Sequence, residues 1–195
     1  MTITRWQKIS VWFIVTFVPF TLPFWYNLSQ MLTRKRYITF PRVSSTIEII
    51  QALDSSKGWT ADPIKGVLDI MYHPSRLQHH IDTKTLLGDC DDYSAYTAHQ
   101  LLTSQLATQV WCGSIQFVRD GKMEGHVLTI FVGNDSVPKW MDYYDAAAFD
   151  GEWGWAQAAA AQFGGTLLCA TKTKVKGLSK HGRIRLGSGT SKRFS

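Results

Sequence analysis

Cys90 stands in "GDCDDYS" (Gly88 to Ser94), among carboxylates and just ahead of a predicted helix. A thiol in the first turn of a helix meets unpaired N–H groups and the positive end of the helix dipole, and both favour the thiolate. The thiolate is the nucleophilic form. The same N–H groups can hold the oxyanion that forms when it attacks a carbonyl. A base must then lie near. Of the six histidines, His126 in "EGHVLTIF" follows 36 residues downstream on a predicted strand able to pack against the start of the Cys90 helix. His99 is nine residues along the same helix as Cys90, too far to meet the thiol, and His181 falls in the C-terminal segment. His73, His79 and His80 precede the motif at spacings that fit no standard zinc pattern with Cys90. An acid should orient the imidazole. Asp142 in "KWMDYYD" lies 16 residues past His126 on the neighbouring predicted strand, with Asp145 as the alternative. Such a set performs acyl transfer. Cys90 attacks an amide carbonyl, His126 takes the thiol proton and returns one to the leaving amine, and Asp142 holds His126.

The elements that would carry these residues change period along the chain. "SSTIEIIQAL" places Ser45 and Glu48 at capping-box spacing and Ile47, Ile50 and Leu53 on one helical face. "GW" at 58 and 59 breaks that helix, "DPIKGVLDIMYH" starts another with Pro63 in its first turn, and Pro74 ends it. The Cys90 helix carries Tyr93, Tyr96, Ala98, Leu101 and Leu102. After Gln105 the pattern turns to β-formers. "TQVWCGSIQFV", "GHVLTIFVG" and "KWMDYYD" read as strands, with the Asp-Gly hairpin signal in "RDGKM" and a turn at "NDSVP". "EWGWAQAAAAQF" reads as a helix and "GTLLCAT" as a further strand. Helices followed by an antiparallel sheet make an α+β plan.

The order Cys-helix, His-strand, Asp-strand resembles the transglutaminase-like branch of the papain-like cysteine enzymes. It is most similar to the bacterial transglutaminase-like cysteine proteases of the LapG type, on "GDCDDYS", "HVLTIF" (His126 to Phe131) and "WMDYYD" (Trp140 to Asp145), about 60 residues in all. That resemblance implies a papain-like core, an N-terminal helical part and a nucleophile helix packed on an antiparallel sheet. It implies Cys90 as nucleophile, His126 as general base and Asp142 as orienting acid. It also implies a bacterial or phage origin and a protein or peptide substrate. In that family the acids flanking the cysteine bind calcium, which here means Asp89 and Asp91. Calcium takes several oxygen ligands, and two acids plus loop carbonyls supply part of such a set. The plainer reading is an N-cap at Asp89 with Asp92 solvated. The chemistry itself needs no cofactor. The stretch "RLQHHIDTKTLL" departs from the family pattern, and Ser94 replaces its usual alanine.

Two flanks bound the rest. No charged residue occurs from Ile9 to Thr33, and Ile9 to Leu28 matches the roughly 20 residues that span a bilayer. Arg5 and Lys8 precede this stretch and Arg34, Lys35 and Arg36 follow it, so orientation is open. A membrane anchor over residues 1–36, a signal peptide and a core segment are the alternatives. Eight of the chain's cations lie from Lys172 onward, against a net charge of +6, and no acid follows Glu152. Residues 172–195 therefore read as a basic flexible tail able to touch an anionic surface or nucleic acid, leaving 42–171 as the catalytic domain. Three cysteines without a CxxC pair argue against a disulfide framework and a zinc ribbon and allow at most one disulfide. The leading expectation is a membrane-associated, thiol-dependent amide hydrolase working through a thioester. The alternatives are a protein-crosslinking transglutaminase, in which an amine replaces water, and a non-enzymatic membrane- or virion-associated module on the same fold.

Overall fold

The computed structural model describes residues 4–35, 38–54, 71–85 and 88–194. Among them are five helices, α1 (Arg5–Leu32), α2 (Thr46–Asp54), α3 (Pro74–Thr83), α4 (Cys90–Thr103) and α5 (Gly154–Gln162). Six strands, β1 (Ala107–Arg119), β2 (Lys122–Gly133), β3 (Pro138–Met141), β4 (Ala146–Ala148), β5 (Thr166–Leu178) and β6 (Ile184–Arg193), form one antiparallel sheet. Their order is β4-β3-β2-β1-β5-β6. The plan is α+β, as expected.

The hairpin β1–β2 closes on Asp120 and Gly121, whose φ angles are 52° and 77°. Two successive positive φ values give the turn whose twist matches the strands, and glycine adopts its share without a Cβ penalty. The two faces of β1 then serve two cores. Val110 and Cys112 join the cluster around α4, with Tyr96, Leu101 and Phe131. Ile115 and Phe117 join the cluster around α5, with Trp140, Trp155 and the small Ala156, Ala159 and Ala160. Gly113 lets α5 approach, since a Cβ there would lie 2.8 Å from Ile130 Cδ1 and from Trp155 Cζ3.

Helix α4 is buried on nearly every side, from Asp91 to Leu101. Its polar groups carry partners. Tyr96 donates to Gln78 Oε1 at 2.7 Å and accepts from Gln100 Nε2 at 2.9 Å. Helix α2 corrects one expectation: Ile49 and Leu53 make its buried stripe and Ile47 is exposed. Its Glu48 carboxylate reaches back to the Ser44 N–H and hydroxyl, while Ser45 Oγ accepts the Glu48 N–H at 3.4 Å. The helix expected between Pro63 and His73 falls mostly outside the described residues. Pro74, read as a terminator, instead opens α3 at its first position, where the missing N–H has no role.

The segment read as a flexible basic tail is part of the sheet. Residues 172–178 complete β5 and 184–193 form β6. The signal was strict alternation: Thr171, Thr173 and Val175 are buried, with Lys174 and Lys176 exposed between or beside them. Ile184 and Leu186 repeat the pattern around exposed Arg185. Threonine and lysine lowered the apparent hydrophobicity of a period-two strand.

Helix α1 is long and apolar enough to cross a membrane, a property it shares with signal sequences and core helices. In this fold it lies along β5 and β6 with Val11, Pro19, Pro23 and Tyr26 turned inward. It also caps the free edge of β6. Asn27 Nδ2 donates to Leu186 O and Asn27 Oδ1 accepts the Leu186 N–H, both at 3.2 Å. One turn on, Gln30 does the same for Ile184, at 3.4 and 3.2 Å. Two side-chain amides thus satisfy the strand edge as a neighbouring strand would.

Candidate active site

Helix α4 starts at Cys90, with Asp89 as its extended N-cap. The Asp92 carboxylate accepts the Asp89 N–H at 3.3 Å and the Tyr72 N–H at 2.5 Å. This ties the first turn to the chain before α3 and corrects the reading of Asp92 as solvated. One turn later Ser94 locks α4 to β2. Thr129 Oγ1 donates to Ser94 O at 3.1 Å, and the two hydroxyl oxygens are 3.2 Å apart. Of the three thiols, Cys112 and Cys169 are buried, which pushes each up to about 11. Cys90 is partly exposed.

Asp142 follows the last residue of β3. Its Oδ1 accepts the N–H groups of Tyr144 (2.8 Å) and Asp145 (2.9 Å). That turn leaves Oδ2 aimed at His126 Nε2, 4.0 Å away. Both atoms are buried and have no hydrogen-bond partner among the described residues. Asp145 is exposed and spends its carboxylate on the Ala146 N–H at 2.7 Å. Asp142, not Asp145, is therefore the acid beside the imidazole.

His126 is wedged between aromatic rings. Phe163 lies edge-on at 4.5 Å between centroids and Tyr143 at 5.9 Å. Burial lowers the imidazole to about 4 and raises the Asp142 carboxyl. The low-dielectric pocket disfavours charge on either group. At neutral pH His126 is thus a neutral base. With Nε2 facing Asp142, Nδ1 is the nitrogen left for proton transfer. Tyr143 links His126 to the first turn of α4. Its ring is 5.1 Å from Tyr93, in the first turn of α4. Its phenol is pushed up to about 12, first by burial and further by the negative charges of Tyr144, Asp142 and Cys90.

The structure brings His126 and Asp142 together, with Tyr143 beside His126, while Cys90 opens the helix packed on the opposite face of the sheet. The strand register sets these faces. His126 pairs with Ile115, so it points to the α5 side of the sheet. Thr129, against which α4 packs, pairs with Cys112 on the other side. β3 pairs with β2 only from Thr129 to Val132, so the stretch of β2 that carries His126 has an open flank. The two sides of the sheet meet at that flank.

The acids beside the cysteine also come together. Asp89, Asp91 and Asp92 are buried, with one carboxylate oxygen of each within 4.8 Å of the others. Among the described residues this is the one such group of metal-ligating side chains. Asp89 Oδ1 is buried without a hydrogen-bond partner among the described residues. An all-oxygen set of like charges at this spacing suits a hard cation such as calcium. Sequence reasoning named Asp89 and Asp91 but missed Asp92, whose spacing within the run "DCDD" was the available signal. It also missed Tyr143 and Phe163, which reach His126 only through the fold.

No protein-family model matches this chain, and no curated protein matches it.

Proposed function

We propose that this protein is a thiol-dependent amide hydrolase of the transglutaminase-like, papain-related type. The observation that supports this most is the buried His126–Asp142 pair at 4.0 Å, with Cys90 at the N-terminus of the helix locked to the same strand. Cys90 Sγ attacks the amide carbonyl as its proton passes to His126. The tetrahedral oxyanion forms beside the N–H groups that open α4. Collapse breaks the C–N bond, and His126 returns the proton to the leaving amine. Water, deprotonated by His126, then cleaves the thioester and regenerates the thiol. Asp142 keeps Nε2 engaged and offsets the imidazolium charge. Under this reading Asp89 and Asp91, joined by Asp92, hold a calcium ion that fixes the start of α4. An acceptor amine in place of water would make the protein a crosslinking enzyme.

A second reading, a non-enzymatic module on this fold, is favoured by the register that turns His126 to the α5 side. Hydrolysis of a densely labelled fluorogenic casein separates the two. Cys90→Ala is expected to lower the rate by more than about 10³-fold with an unchanged melting temperature. Equal rates in the two proteins would remove the enzyme reading.

A further inference from the structure

The outward side of α1 is a stripe that the fold leaves uncovered. Trp6, Phe13, Phe17, Phe20, Phe24 and Met31 recur at steps of three, four or seven residues, which places them on one helical face. Trp6 is 78% exposed, Phe20 73% and Phe24 71%. A core helix would bury such residues, and α1 buries only its other side. The stripe extends for roughly 40 Å at helical rise.

The opposite side of α1 is bound to the sheet at several points along its length. Gln7 Nε2 donates to Gly121 O at 3.5 Å near the start, and Ser191 Oγ donates to Val15 O at 2.8 Å. A Cβ on Gly189 would come within 3.2 Å of Pro19 Cα. The Asn27 and Gln30 amides hold the edge of β6. Upright insertion of α1 would strip these contacts and expose the β6 edge. The helix therefore meets an apolar phase sideways.

The charge around the stripe has one sign. No acid occurs before Glu48 or after Glu152, so α1, β5 and β6 carry cations only. Lys176, Arg183 and Arg185 share a groove with Phe24 and Met31. Arg5 and Lys8 lie at one end of the helix, and Arg34 and Lys35 follow the other. A second copy of the chain would bring the same cations to the same face and be repelled. Anionic lipid headgroups above an acyl layer fit both the stripe and its rim.

We propose that α1 docks flat in the interfacial layer of an anionic phospholipid bilayer, with its aromatic stripe among the upper acyl chains and the β5–β6 cations at the headgroups. The proposal does not depend on the hydrolase reading.

The test uses the full chain and vesicles of phosphatidylcholine with or without 30% phosphatidylglycerol (about one-third anionic lipid, enough to set up a surface potential). Flotation is expected with the anionic vesicles, weakening as salt rises and reversing in alkaline carbonate. Phe20→Ser with Phe24→Ser is expected to lower the affinity tenfold or more. Both side chains are exposed, so an unchanged circular dichroism spectrum should accompany that loss. Lys176→Gln with Arg185→Gln should remove the preference for anionic lipid. Carbonate-resistant insertion would overturn the proposal in favour of a spanning helix. Absence of flotation, whether with self-association or with capture of an acidic protein, would overturn it in favour of a protein interface.

Discussion

Acidification from pH 7 to pH 4 is expected to unfold this protein, with a midpoint between about pH 4 and 6. Three buried histidines drive this. His73, His99 and His126 are each lowered from the usual value near 6.5 to about 4. Burial is the first cause in all three. His73 also feels the positive charges of Arg34 and Arg183, with His181 beside it. His99 lies against the Phe40 ring at 3.9 Å and is further lowered by His73. A depressed histidine is neutral in the fold but protonates near 6.5 once unfolded. The unfolded chain therefore binds more protons between about pH 6.5 and 4, and stability falls with pH across that window. A shift of this size corresponds to on the order of 3 kcal/mol per histidine. Three together are comparable with the roughly 5–15 kcal/mol of net stability of a typical domain. Asp142 works the other way, since its raised carboxyl takes up a proton more readily in the fold, but it is one group against three. Tryptophan emission and circular dichroism followed against pH measure the midpoint. Persistence of the native spectrum at pH 3 would contradict the burial of these imidazoles.

The second large effect concerns the acid. Asp142→Ala is expected to lower casein hydrolysis by about 10²–10⁴-fold, and Asp145→Ala to leave it within about twofold. The contrast follows from geometry. Asp142 Oδ2 faces His126 Nε2, whereas Asp145 is exposed and bonded to its own neighbour's N–H. Alanine at 142 also removes the acceptor for the Tyr144 and Asp145 N–H groups, so some loss would come from the turn. Asp142→Asn keeps an acceptor there. A loss shared by the alanine and asparagine variants reports the missing charge, and a loss confined to alanine reports the turn. The reverse ranking of positions 142 and 145 would displace Asp142 from the site.

Much of this site was legible because its parts are local. Glycine and aspartate before Cys90 announce a helix start, and Asp120-Gly121 announces the hairpin that fixes the register of His126. Asp142 was legible as the first choice over Asp145, but the turn after β3 that aims it at His126 was not. Tyr143 and Phe163 reach the imidazole from elements that sequence spacing does not relate to it. The side of the sheet on which His126 lies is a matter of single-residue register, and one residue reverses it. Two fold expectations failed for local reasons. "KTKVK" looked like a solvated run because lysines flank its two buried residues, Thr173 and Val175, and Pro74 looked like a stop because its role at a helix start depends on His73 as N-cap. The α1 clasp was illegible in principle: Asn27 and Gln30 look like ordinary polar interruptions until β6 lies beside them.

The central claim is that Cys90 and His126 act as one unit, and the rate of Cys90 alkylation by iodoacetamide against pH tests it most directly. Burial of Cys112 and Cys169 leaves Cys90 as the accessible thiol. The measurement is made on the full chain, with and without His126→Ala. The expected result is labelling at pH 7 that the His126 variant slows tenfold or more, the signature of a thiol that gives its proton to the neutral His126 imidazole. Labelling that rises only around pH 8–9, as for an ordinary thiol, and at the same pH in both proteins, would contradict the unit and leave a scaffold.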